Sequence, residues 1–207
     1  MKKNSRIKKE NAFLKKFKKP SAVQDFLDSI PFNFETHGET CMSPVRTFKE
    51  KKAHCLEGAL FAAACFFLQG ETPYIMNLKV RHGFGDDDHA VALYKRNGYW
   101  GAISKTNHAV LRFRDPVYKT PRELAMSYFH EYFLGKDGTK TMSGYSKPIN
   151  MRRFGSDWIF ADEDLWEIAE IIFNAKHFST VPKKNVRYIR KATLFERKVT
   201  DTPEYKK

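Results

Sequence analysis

Residues 53–70 read AHCLEGALFAAACFFLQG, an almost wholly apolar run with a His-Cys pair at its front. The run predicts a helix over 55–69. Gly58, Ala59, Ala62, Ala63 and Ala64 let other elements come close, while Leu60, Phe61, Phe66 and Phe67 supply bulk. Apolar side chains fall on nearly every face, the pattern of a helix buried at the centre of a fold rather than docked on its surface. Gly70 supplies the stop. Cys65 sits within the apolar body as a core thiol would. Cys55 falls at the helix start, where backbone N–H groups have no intrahelical acceptor.

Strands follow the helix. TPYIMNLKV at 72–80 alternates, and HAVALYKRNGYWGAIS at 89–104 reads as a hairpin turning at Asn97-Gly98. Both hairpin faces are apolar, with Val91, Leu93, Trp100 and Ala102 on one and Ala90, Ala92, Tyr94 and Ile103 on the other. That predicts a sheet covered on both sides. AVLRFR at 109–114 predicts another strand before a turn at Asp115-Pro116. TPRE at 120–123 carries a capping box for a helix running to about Leu134. A further helix is expected over about 162–175, and NVRYIRKATLF in the tail as an edge strand. Upstream, SAVQ at 21–24 matches a capping box for a short helix that Pro31 ends. Residues 32–51 read as loop. Ile7, Phe13, Leu14 and Phe17 among lysines suggest an amphipathic helix closed by Pro20. The order of elements indicates an α+β fold, an antiparallel sheet packed on the buried helix that starts at Cys55.

Net charge +13 over 207 residues suggests a nucleic-acid partner until it is located. Residues 1–20 carry +8 and residues 183–207 carry +6, leaving the 162 residues between them at −1. The chain therefore divides into a basic N-terminal extension (1–20), one α+β domain (21–182) and a basic C-terminal segment (183–207). Basic tails suit phosphate contact, and they also serve solubility. No run approaches the roughly 18 apolar residues of a membrane span. The N-terminus lacks the apolar stretch of a secretory signal, so a cytoplasmic protein is expected. Three cysteines without metal-like spacing fit reduced thiols rather than a disulfide framework.

Acyl chemistry by a thiol needs a thiolate, a base that holds and returns the proton, and a group that orients the base. A helix N-terminus lowers a thiol's pKa, and its free N–H groups can bind an oxyanion. Cys55 has that position, although Glu57 in the same turn would raise its pKa if it faced the sulfur. An inert buried cysteine is the alternative. His89, where GDDD hands over to the hairpin, is the candidate base, against a histidine that merely bonds Asp88. An even hairpin loop brings Ser104 to the His89 face, as a diagonal neighbour for a two-residue loop. An odd loop brings Lys105 or Asn107 instead. Ser104 is thus the geometric choice for third member, and Asn107 the chemical one. His82, Asp86, Asp87, Asp88 and His89 lack the spacing of a calcium or zinc site and read as a solvated acidic loop, so no metal is expected. His54 is expected to be structural or cleft-lining, and Trp158 and Trp166 to be packing residues.

A cysteine opening a buried helix, a histidine at the start of a strand and a Trp in the hairpin return together resemble the transglutaminase-like superfamily. The resemblance covers about residues 50–120. Cys55 matches the nucleophile, His89 the base and Trp100 the tryptophan before the third member. Two departures stand out: Ser104 falls where the family places its aspartate, and Ala53 stands where a glycine is common. HCLEGALFAAA, DDDHAVALY, WGAISKTNHAVLRFRDPVY and ELAMSYFHEYF look like a bacterial group that shares these phrases. The resemblance implies a papain-like fold and acyl transfer on amides or esters (a peptidase, hydrolase or transamidase) without metal or organic cofactor. A protein or peptide amide is then the expected substrate. The competing expectations are a catalytically silent member of the fold, binding nucleic acid or an acidic partner through its tails, and a purely structural role.

Overall fold

In the computed structural model the described residues are 12–199 and 203–205. The first half of the expected N-terminal amphipathic helix, with Ile7, lies outside them. Phe13, Leu14 and Phe17 lie inside and pack. Leu14 is buried, and Phe17 meets Phe61 edge-on with ring centroids 5.5 Å apart.

The central helix, α3 (Cys55–Leu68), follows α1 (Pro20–Asp28) and α2 (Pro44–Glu50). Every residue from Leu56 to Phe66 is buried, and Gly70 takes the left-handed conformation past the helix end at φ +83°. A glycine inside a helix costs about 1 kcal/mol against alanine, less than the ~1.5–3 kcal/mol from burying a single Leu60 or Phe61. Gly58 has its own reason. A Cβ there would collide with Cβ of Lys105, so the missing side chain lets the segment after the hairpin lie on the first turn of α3.

The strands are β1 (Tyr74–Val80), β2 (His89–Arg96), β3 (Tyr99–Ile103) and β4 (Arg114–Tyr118), then β5 (Met142–Ser146), β6 (Ile149–Asn150) and β7 (His177–Ser179). They form one antiparallel sheet in the order β4-β3-β2-β1-β5-β7, with β6 also on β1. The architecture is therefore α+β. The hairpin closes through two residues, Asn97 (φ +51°) and Gly98 (φ +86°), the left-handed pair of a tight hairpin turn. Its two faces divide as expected. Ala90, Ala92, Tyr94 and Ile103 join the core with α3, α1 and α5 (Trp166–Phe173). Val91, Leu93, Trp100 and Ala102 join a second core under α4 (Pro121–Phe129).

Several elements depart from expectation. α1 begins at Pro20 with no side-chain cap, so SAVQ is not a capping box. The supposed loop 32–51 contains α2, with Ser43 accepting from Arg46 N–H and Pro44 in the first turn. Residues 109–111 form a 3-10 turn, and the strand starts at Arg114, running through Asp115-Pro116. A proline is tolerated there because β4 is the sheet edge. α4 stops at Phe129 and α5 starts at Trp166, both shorter than expected. The tail stretch 185–195 is not a strand. It holds a 3-10 segment and the start of the short helix α6 (Leu194–Arg197), and β7 takes the edge instead. Among the described residues no helix is long and apolar enough to cross a membrane.

Candidate active site

Cys55 lies in the first turn of α3, on the floor of a cleft of about 550 Å³ that His54, His89, Thr106 and Tyr132 also line. Cys55 as a residue is half-buried there, whereas Cys41 and Cys65 are buried. His54 takes the N-cap position. Its Nδ1 accepts from Leu56 N–H at 3.2 Å, and its Nε2 lies 2.9 Å from the Thr40 carbonyl, which can only accept. Glu57 completes the cap by accepting from His54 N–H at 2.9 Å.

Glu57 is wholly buried, and its two oxygens are spent on four donors: His54 N–H, Met42 N–H, Thr40 Oγ1 and Asn33 Nδ2. It therefore ties loop 33–42 to the helix start, forming one wall of the cleft, so its carboxylate is an organiser of the site.

His89 meets Ser104. The hairpin register pairs Ala92 with Ile103, and continuing it sets Ser104 opposite Val91, one diagonal step from His89. Nε2 of His89 lies 2.6 Å from Ser104 Oγ. With Nε2 so engaged, Nδ1 is the ring nitrogen left for Cys55, whose thiol His89 lowers, while the sulfur itself lies 3.9 Å from the Asp88 carbonyl. Asn107 does not share this arrangement. The two-residue loop gives it the other parity, and its side chain holds the tail backbone, accepting from Tyr205 N–H at 2.8 Å and donating to Tyr205 O at 2.9 Å. Nor does His89 bond Asp88. That carboxylate accepts from Asn77 Nδ2 and Val80 N–H, both at 2.8 Å, pinning the chain just before His89.

Ser104 is itself clamped. Gln24 of α1 donates to Ser104 O at 2.9 Å and accepts from Ser104 N–H at 3.0 Å. Next to it, fully buried Lys105 donates to the Leu27 and Ile30 carbonyls at the end of α1. Burial lowers the Lys105 pKa to about 8 despite the pull of Glu204 and Asp28. Sequence reasoning missed both clamps, since it read Gln24 as a capping residue. Gly58 was the available signal: a helix-interior glycine three residues after the cysteine marks a close backbone approach.

Burial alone would raise the Cys55 thiol. Hydrogen bonds from His54 and His89, and their charge, outweigh it and bring the pKa down to about 5. Burial also opposes a charge on His54, while the Cys55 thiolate and Glu57 favour one and push His54 up to about 9. The ring's hydrogen bonds weigh the other way, because Nδ1 cannot both accept from Leu56 N–H and carry a proton. His89 rather than His54 is therefore the candidate general base. By contrast, Cys41 is pushed up to about 12, first by burial and then by Glu57, and burial raises Cys65 further.

The Ser104 bond carries a prediction. The Ser104 contact fixes the ring of His89, which lowers the Cys55 thiol. Ser104→Ala is expected to move the acid limb of Cys55 alkylation to higher pH and to slow Cys55-dependent turnover by about tenfold, the worth of one hydrogen bond. An unmoved alkylation profile would show that Ser104 only packs.

Among the described residues no group of three or more His, Cys, Asp or Glu side chains is placed to hold a metal ion. In the acidic loop, Asp86 accepts from Thr141 Oγ1 while Asp88 and His89 turn inward as described. Trp158 is buried in the core, but Trp166 stands 48% exposed on the cleft lip rather than packing inside. No protein-family model matches the chain, and no curated protein matches it.

Proposed function

We propose that this chain is a cysteine-dependent acyl-transfer enzyme of papain-like, transglutaminase-like type, acting on amides or esters. The supporting observation is the line of contacts from Cys55 through His89 to Ser104, placed in an open cleft at a helix start. Ser104 stands where the resembled family has an aspartate, and it meets the same ring nitrogen that such an orienter must hold.

In this reading the Cys55 thiolate attacks the carbonyl carbon, forming a C–S bond. The oxygen takes the negative charge beside the Cys55 N–H, which has no partner among the described residues and sits at the positive helix end. His89 Nδ1 gives its proton to the departing amine nitrogen or alkoxide oxygen, and that bond breaks to leave a thioester. Water or an amine then attacks the thioester, His89 takes the proton of the attacking group, and the C–S bond breaks to restore the thiolate. Burial around His89 and Tyr132 limits solvent at the reacting centre, which strengthens these charge interactions.

The test is release of amine or alcohol from a panel of peptide amides and activated esters, with Cys55→Ala as control. Turnover by the wild type that Cys55→Ala lacks supports the proposal. Equal rates for the two proteins across the panel would remove it.

A further inference from the structure

We infer that the Cys55 cleft selects an acyl substrate carrying a cationic side chain, Lys or Arg, beside the scissile bond. This rests on the reading of Cys55 as the nucleophile and adds the substrate class. The chain has 37 Lys and Arg residues and a net charge of +13, yet among the described residues no Lys or Arg lines the cleft. The lining carboxylates are Glu35, Glu39, Asp86, Asp87, Asp88 and Glu131.

Their partners show which of them face the cleft with charge to spare. Glu131 pairs with Arg114, and Asp88 is spent on Asn77 and Val80. Glu35 accepts from Thr40 N–H and lies 3.8 Å from His54 Nε2. Glu39 and Asp87 form no ion pair among the described residues, and both are exposed. They stand on different segments, one on loop 33–42 and one on the loop before β2. A substrate reaching Cys55 between those segments passes between them.

The walls agree with the rim. Phe34 and half-exposed Trp166 also line the cleft, and aromatic faces attract ammonium and guanidinium groups. A cleft whose rim carries unpaired carboxylates over apolar walls focuses its field on the entering molecule, here against the positive charge of the whole chain.

The experiment needs no known substrate. Cys55 is labelled with three methanethiosulfonates, one bearing a trimethylammonium group, one a sulfonate and one uncharged, with the site read by peptide mass mapping. In each case the thiolate attacks the sulfenyl sulfur, a disulfide forms and methanesulfinate leaves, so only the reagent's charge differs. At low ionic strength the cationic reagent is expected to outpace the anionic one by about tenfold or more, relative to a small free thiol. Salt should reduce that ratio, as should Glu39→Gln and Asp87→Asn, each by about threefold. These two positions are exposed, so folding is not at risk. Equal or anion-favouring rates that the two variants leave unchanged would overturn the selectivity while leaving the nucleophile in place. If no reagent labels Cys55 faster than a denatured thiol, both the selectivity and the proposed function fall.

Discussion

His89→Ala is expected to lower Cys55-dependent turnover by ~10²–10⁴-fold, the usual worth of a positioned acid–base group. His89 has two duties in the proposed reaction: it holds the proton that leaves Cys55 ionised, and it returns that proton to the leaving group. Alanine removes both. Wild-type kcat/KM is expected to rise with pH through about 5, where the Cys55 thiolate forms. In the variant that limb moves upward, toward the value of 9.0 that an ordinary thiol has. Groups that act as a unit are not additive, so the double variant with Cys55→Ala should be no slower than Cys55→Ala alone. A His89→Ala protein within twofold of wild type would show that the imidazole is a neighbour and nothing more.

The largest stability effect is expected at Glu57. Glu57→Ala leaves four donors in a buried site without an acceptor, two of them backbone N–H groups that cannot turn to water. Breaking a buried charged network in this way costs about 3–5 kcal/mol, a large part of the ~5–15 kcal/mol that holds a domain folded. For a chain of this size that lowers the Tm by roughly 6–20 °C. Glu57→Gln keeps the shape but gives one end of the side chain donors of its own. Whichever end that is, it meets a backbone N–H, of His54 or of Met42, so a smaller loss of about 1–3 kcal/mol is expected. Thermal unfolding followed by circular dichroism reads both. A Glu57→Ala protein melting within a degree of wild type would contradict the organising role.

How much of this was legible depended on whether a signal was local. The α3 run was long and apolar on all sides, and Asn97-Gly98 admits few turn types, so the central helix and hairpin could be read directly. The parity of that turn carried the site further, because a two-residue loop puts Ser104 on the face of His89. The same parity removes Asn107, whose better chemistry could not outweigh a backbone pointing it toward Tyr205. What was hidden is non-local. Gln24 sits 80 residues from the backbone it clamps, and its spacing from Ser21 imitates a cap. α2 is only seven residues long inside a polar stretch, so its Ser43-Pro44 start carries too little apolar periodicity to show in the sequence. β5 and β7 are short and poor in β-branched residues. They exist because β1 offers an edge to β5, and β5 then offers one to β7. Glu57 shows the same limit in energy, since its sign depended on which neighbours its oxygens met.

The most direct measurement is the ultraviolet absorbance of the thiolate, taken as the difference between wild type and Cys55→Ala across a pH titration. Because Cys41 and Cys65 are common to both proteins, the difference isolates one sulfur. A midpoint at about 5 is the predicted result, raised by His89→Ala. A midpoint at the usual cysteine value of about 8.5 or above, unchanged by His89→Ala, would contradict the account.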